Sequence, residues 1–230
     1  MKMFKTLALT TACLAVMAAA PAQAAVVHNY DLNGSLADSL GGPSLTSLGG
    51  TLGATGYSFG ANQGLSVSGL SISPSGYYGI EIAFSFSSLG GYRKIIDFSS
   101  LTSDAGLYNL SSSLNFYPVT TGPGGAFLAN TLATLLLTRT AAGQVTGFVN
   151  GIQQITFMDT TNLALASTLN FFVDDFATGQ REASGGFVDY IRISDDKAVS
   201  SVPLPAGFPL LAAGLAGLGL VSRRRRAKAA

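Results

Sequence analysis

From Ile80 to Phe86 apolar side chains recur at every second position, with Ile80, Ile82, Phe84 and Phe86 alternating with other residues in GIEIAFSFS. That is the period of a strand with one buried face. A second block, LLLTRTAAGQVTGFVNGIQQITF, carries three such runs. The first ends on Leu135, Leu137 and Arg139 and turns at Ala141-Ala142-Gly143; QVTGFV returns, and Asn150-Gly151 leads into IQQITF. Asn-Gly between two β-type runs favours a type I′ turn, because both residues tolerate positive φ. The block therefore predicts a three-stranded meander. Further on, LNFFVDD and GGFVDYIRIS predict two more strands, the last closing a sheet near the start of the chain. No stretch of this body keeps a 3.6-residue apolar period for long, and Gly-rich turns separate about a dozen short strands. The expected fold class is all-β: a two-sheet antiparallel sandwich.

The two ends break the alternation. Lys2 and Lys5 precede an apolar run from Thr6 to Ala20, followed by Pro21 and the small-residue site Ala22-Gln23-Ala24. This is the order of a secretory signal peptide, residues 1–24, with cleavage expected after Ala24. At the other end the chain reads VPLPAGFPLLAAGLAGLGLVSRRRRAKAA. Pro203 and Pro205 exclude regular helix and sheet bonding, so Val202–Ala206 is expected to be extended and accessible. The uncharged stretch 207–222 that follows is expected to be a single, marginally long transmembrane helix: 207–221 at helical rise gives about 22 Å against a hydrocarbon core of roughly 30 Å. Arg223, Arg224, Arg225 and Arg226 form a basic stop, which the positive-inside rule places in the cytoplasm. The body between, residues 25–201, is then exported.

Charge and cysteine sharpen this picture. The body carries six basic residues (Arg93, Lys94, Arg139, Arg181, Arg192 and Lys197) and all twelve acidic residues of the chain, so its net charge is −6 although the whole chain is +1. An acidic body excludes nucleic acid as a partner class, since phosphate binding needs a basic footprint. Cys13, the only cysteine, lies in the segment to be removed. The mature chain thus has no disulfide and no thiolate metal site, and a packed core has to hold it together.

The order of Val202-Pro203-Leu204-Pro205-Ala206, a short apolar helix and a terminal Arg cluster resembles the PEP-CTERM class of sorting signals, most closely its VPLPA variant. The resemblance implies a Gram-negative host and an exosortase, a membrane cysteine transpeptidase, as processing partner. It also implies passage through an inner-membrane intermediate to the cell surface or extracellular matrix. The opening YDLNGSLADSLGG, the internal FVNG hairpin and the closing GFVDYIRISD, taken in order, resemble laminin-G-like or concanavalin-A-like jelly rolls. That second resemblance spans roughly Val26 to Asp195 and implies the two-sheet jelly roll, in a group whose members are often glycan-active.

The residues themselves carry little catalytic chemistry. Glycoside hydrolysis generally needs a carboxylate pair across the scissile bond. The only glutamates, Glu81 and Glu182, lie about a hundred residues apart in sequence, outside any E-x-D-x-x-E context. His28 is the sole histidine, four residues from the expected new N terminus, where an edge-strand role or disorder fits better than base catalysis. Asp174, Asp175 and Glu182, in FFVDDFATGQREASGG, are candidate oxygen ligands for calcium, or else solvated loop carboxylates offset by Arg181. Tyr77, Tyr78 and Tyr92 are candidate sugar platforms, because a sugar's apolar face stacks on a flat ring; the alternative is core packing with the hydroxyl in water. The expected function is non-catalytic binding of extracellular polysaccharide. A structural matrix or adhesion role stands as alternative, and a glycan-cleaving enzyme as a third reading.

Overall fold

A computed structural model describes residues 24–70 and 76–198. The expected signal segment up to Gln23, the Val202–Ala206 motif, the apolar helix and the Arg223–Arg226 stop lie outside the described residues. Residues 24–198 form one compact unit. Among the described residues there is no helix, and so none long and apolar enough to cross a membrane.

The strands run in chain order as β1 (Ala24–Tyr30), β2 (Thr46–Ser47), β3 (Thr51–Leu52), β4 (Tyr57–Phe59), β5 (Leu65–Ser68), β6 (Tyr78–Phe86), β7 (Tyr92–Asp97) and β8 (Gly106–Leu110). They continue as β9 (Ser113–Tyr117), β10 (Thr120–Thr121), β11 (Ala133–Arg139), β12 (Gln144–Val149), β13 (Ile152–Met158), β14 (Thr168–Phe171) and β15 (Gly186–Ala198). One sheet has eight strands in the order β13-β12-β11-β6-β15-β4-β3, with β1 also paired to β15; the other has seven, β10-β9-β8-β7-β14-β5-β2. Every pairing is antiparallel. The architecture is the expected two-sheet jelly-roll sandwich.

The strongest sequence patterns form the eight-stranded sheet. Ile80, Ile82, Phe84 and Phe86 point inward from β6 and are buried, while Glu81 and Ser85 stay half-buried on the outer face. The meander is β11, β12 and β13, and its Asn150 and Gly151 have φ of 51° and 77°, the two positive angles of a type I′ turn. GFVDYIRIS lies in β15, which pairs with β6 on one side and with β1 on the other, closing the sheet at the start of the chain. LNFFVDD is shorter as a strand than its apolar run suggests. The strand β14 stops at Phe171, because Phe172 takes φ 69° and leaves the pleat. The chain from Phe172 to Asp175 then enters a buried loop.

The inner faces of both sheets meet in one core that includes Ile82, Leu135 and Ile191 from the first and Leu107, Leu114 and Leu169 from the second. Phe172 packs among Phe59, Phe84 and Phe86, with its ring stacked 4.4 Å from that of Phe59. At one border of the sandwich Phe116 of β9 meets Phe157 of β13 at 4.8 Å.

His28 sits on β1, which pairs only with β15, so an edge-strand role is what the fold assigns it. Its Nδ1 lies 2.7 Å from Asp38 Oδ2. Asp38 also accepts hydrogen bonds from the backbone N–H groups of Asn29, Leu40 and Gly42, pinning the turn after β1 onto the strand. Burial pushes the Asp38 carboxyl up, but the N–H donors of Asn29 and Leu40 and the His28 contact outweigh it and hold it below the ordinary aspartate value. A carboxyl depressed in the folded state stabilises the fold above its unfolded pKa of about 3.9, and that contribution is lost as pH falls through the folded value. Thermal unfolding of residues 24–198 from pH 6 to pH 2 should therefore show Asp38→Asn losing less stability on acidification than the parent. Parallel curves would contradict this.

Candidate functional site

The outer face of the seven-stranded sheet gathers aromatic and charged groups by simple alternation. Leu107 of β8 points into the core, so Tyr108 points out; Leu114 and Phe116 of β9 point in, so Asn115 and Tyr117 point out. Register places Lys94 opposite Tyr108, and Tyr108 opposite Asn115. Tyr92, two residues before Lys94, shares that face. Its ring meets those of Tyr108 and Tyr117 edge-on at 5.5 and 5.9 Å. Tyr108 is buried, whereas Tyr92 and Tyr117 are half-exposed.

The loop from Phe172 to Gly185 folds over one end of this face. Lys94 Nζ lies 2.8 Å from Asp175 Oδ2, with both side chains 0 % exposed, and 4.2 Å from the centre of the Tyr108 ring. The Tyr108 hydroxyl is 2.8 Å from Asp104 Oδ1 and 3.3 Å from Asp175 Oδ2; its single proton serves the nearer carboxylate best. Asp175 Oδ1 accepts from the Thr178 N–H. Asp174 Oδ2 accepts from the Thr178 hydroxyl and the Glu182 N–H, both at 2.8 Å, while its buried Oδ1 has no protein partner. The Glu182 carbonyl accepts from the Lys94 N–H, so residue 182 is tied to both halves of the cluster.

These contacts set the electrostatics. Burial first, then the charges of Asp104 and Asp174, push the Glu182 carboxyl up to about 7, with Lys94 opposing. Burial and the hydrogen bond to Asp104 raise the Tyr108 phenol far above its ordinary range. Asp175 moves the other way: burial raises it, but the Lys94 bond and charge prevail and hold it low. Tyr92 is raised by burial and then by Tyr117, Glu182 and Asp104.

Tyr92, singled out as a sugar platform, thus belongs to the same cluster as Asp174, Asp175 and Glu182, singled out together as candidate calcium ligands. Tyr78 does not join it and is no sugar platform. It is 1 % exposed and its hydroxyl donates to the Ala164 carbonyl at 2.7 Å, because it shares the inward parity of Ile80 and Ile82. Tyr77, of opposite parity, is half-buried just after the undescribed residues 71–75. Asp174 and Asp175 are not solvated loop carboxylates offset by Arg181: both are fully buried, Arg181 is exposed, and the cation that Asp175 meets is Lys94. The donor set does not fit calcium either. Three of the four aspartate oxygens are taken up by Lys94, Thr178 and Glu182 N–H, and among the described residues no group of three or more His, Cys, Asp or Glu side chains could hold a metal ion. Glu81 lies on the other sheet, 3.4 Å from Arg192, whose guanidinium covers the Tyr190 ring. Lys94, Asp104, Tyr108 and Tyr117 escape a reading of local motifs; the alternation Tyr92-x-Lys94 and Asn115-x-Tyr117 was their one signal.

No protein-family model matches the chain, and no curated protein matches it by sequence. Among solved structures it is similar to domain 4 of AbnA, a GH43 extracellular arabinanase from Geobacillus stearothermophilus in complex with arabinotriose, at 16% identity and TM-score 0.53, over 75% of this chain and 93% of that domain. It is also similar to the binding domain of botulinum neurotoxin serotype D (13%, TM-score 0.54, 74% of this chain) and to Trypanosoma rangeli sialidase (13%, TM-score 0.52, 73% of this chain). It spans 48% of the former and 29% of the latter. At such identities the likeness establishes the β-sandwich fold and nothing finer.

Proposed function

We propose that this chain is an exported envelope or matrix protein, handed to an exosortase at Val202–Ala206, whose sandwich binds polysaccharide without cleaving it. The observation that carries the binding reading is the half-exposed pair Tyr92 and Tyr117, set edge to face beside the half-exposed Glu182. Flat rings with a few fixed polar groups are the composition of a sugar site. The arabinotriose bound to the arabinanase domain adds support from the fold.

The non-catalytic part rests on where the carboxylates are spent. Glu182, raised to about 7, has the protonation a general acid needs. Its neighbours Asp174 and Asp175 are wholly buried and bonded to Thr178 and Lys94, and Asp104 accepts from Tyr108, an arrangement that favours holding a sugar over cleaving it. Residues 24–198 should bind the producing cell's own exopolysaccharide saturably and release no reducing ends. Tyr92→Ala should weaken binding about tenfold or more, the loss of one well-packed aromatic anchor. Absence of saturable binding would favour a structural matrix role, and sugar release an enzyme. For the sorting step, mass spectrometry of the protein from its native host should find a C terminus at or near the Val202–Ala206 motif. A terminus that keeps Arg223–Arg226 in a strain with active exosortase would contradict processing.

A further inference from the structure

Lys94 and Asp175 form an ion pair enclosed on every side that the fold supplies. Both side chains are wholly buried, 2.8 Å apart and 81 residues apart in sequence. The lysine is held from below by the Tyr108 ring and through its own N–H by the Glu182 carbonyl. The aspartate is fixed through Oδ1 by the Thr178 N–H. Neither group can swing into water. A hydrogen-bonded amine and carboxyl locked in this way sit near the approach distance of roughly 3–3.5 Å from which intramolecular reactions gain their largest advantage. We propose that Lys94 and Asp175 condense into an intramolecular isopeptide bond that joins β7 to the loop after β14.

The atoms balance within the pair. The ammonium passes one proton to the carboxylate, a transfer that desolvation favours because it replaces two buried charges by neutral groups. The Nζ lone pair then attacks the Asp175 carboxyl carbon. The amine gives up a second proton, the C–O bond to the departing hydroxyl breaks, and water leaves. One N–C bond is formed, one C–O bond is broken, and no oxidant or other co-reactant is needed. The ion pair is the resting form, with Asp175 held low by Lys94, so the reaction proceeds from its minor neutral form. Tyr108, whose hydroxyl is 3.3 Å from Asp175 Oδ2, turns its one proton from Asp104 to that oxygen as charge gathers on it. Glu182, held beside the pair by its backbone bonds to Lys94 and Asp174 and with a carboxyl that feels the charges of both Lys94 and Asp175, is assigned the proton carrier's role. With Cys13 in the expected signal segment, the exported body has no thiol for a disulfide, and an amide would close a comparable loop in its place.

Trypsin does not cut after an acylated lysine, which makes the bond directly readable. The full chain as cells produce it should be denatured, digested and analysed by mass spectrometry. Coupling predicts a branched species joining residues 94–139 to 140–181, lighter than the two peptides together by one water. Separate peptides 95–139 and 140–181, with cleavage after Lys94, would overturn the proposal. Lys94→Arg keeps the charge but cannot form the amide, so a branched species in that variant would equally overturn the assignment. Glu182→Gln, with its fold checked by circular dichroism, should accumulate the separate peptides; coupling at the parent level would remove Glu182 from the reaction.

Discussion

Replacing Phe172 by alanine is expected to lower the unfolding free energy by about 3–5 kcal/mol, the range for deleting a fully buried phenylalanine. The residue is 0 % exposed, and its ring contacts those of Phe59, Phe84, Phe86 and Phe171 at 4.4 to 6.5 Å between centroids. Phe59, Phe84 and Phe86 come from the eight-stranded sheet, whereas Phe172 follows a strand of the seven-stranded one. Its removal therefore opens a cavity where the two sheets are joined, and neighbours anchored on β4 and β6 cannot collapse far enough to fill it. The backbone makes a second, separable contribution. A φ of 69° is costly for any residue with a Cβ and mild for glycine. Phe172→Gly should consequently be no less stable than Phe172→Ala, although it removes one more carbon from the core. Urea unfolding of residues 24–198, with the dependence on denaturant held equal among variants, measures both. A loss below about 1 kcal/mol for alanine would show that this ring is not a packing centre.

The same residue marks where sequence reading stops. In GIEIAFSFS the alternation is long enough to fix which face is buried, and VNG between two such runs leaves little choice of turn. In LNFFVDD nothing local announces that the strand ends at Phe171: continued alternation would turn Phe172 outward, and only its left-handed backbone brings it into the core. What ends it is the aromatic pocket built by β4 and β6, far away in sequence. Tyr78 was legible in principle: it shares the parity of Ile80 and Ile82, and extending the strand by one period would have buried it. Asp174-Asp175 was not. Two adjacent aspartates near a Gly-rich turn carry every mark of a wet loop, and their burial depends on Lys94 and Thr178, partners that the fold alone supplies. The candidate site was thus half visible, as an acidic trio and a separate Tyr92 whose convergence with Lys94, Tyr108 and Tyr117 the chain order conceals.

Arg139 offers the sharpest test of how these buried charges hold the fold. It ends β11 at 4 % exposure and donates through Nε to Asp159 Oδ2 at 3.1 Å, through Nη1 to the Gly76 carbonyl at 3.0 Å, and through Nη2 to Asn162 Oδ1 at 2.9 Å. Asp159 accepts in turn from the N–H groups of Leu163 and Ala164, and the Ala164 carbonyl receives the Tyr78 hydroxyl. One guanidinium thereby fastens the connection after β13 to the start of β6. Arg139→Met keeps most of the aliphatic stem but leaves a buried carboxylate without its cation, for which a loss of about 3–5 kcal/mol is expected. Most of that loss should come from the stranded charge rather than from missing attraction. The double variant Arg139→Met with Asp159→Asn keeps an acceptor for only one of the Leu163 and Ala164 N–H groups but strands no charge, so it should be more stable than Arg139→Met alone. A thermodynamic cycle over the four proteins gives the coupling directly. If the double variant is instead the less stable by the full cost of a second substitution, Asp159 acts through its backbone hydrogen bonds and the ion pair contributes little.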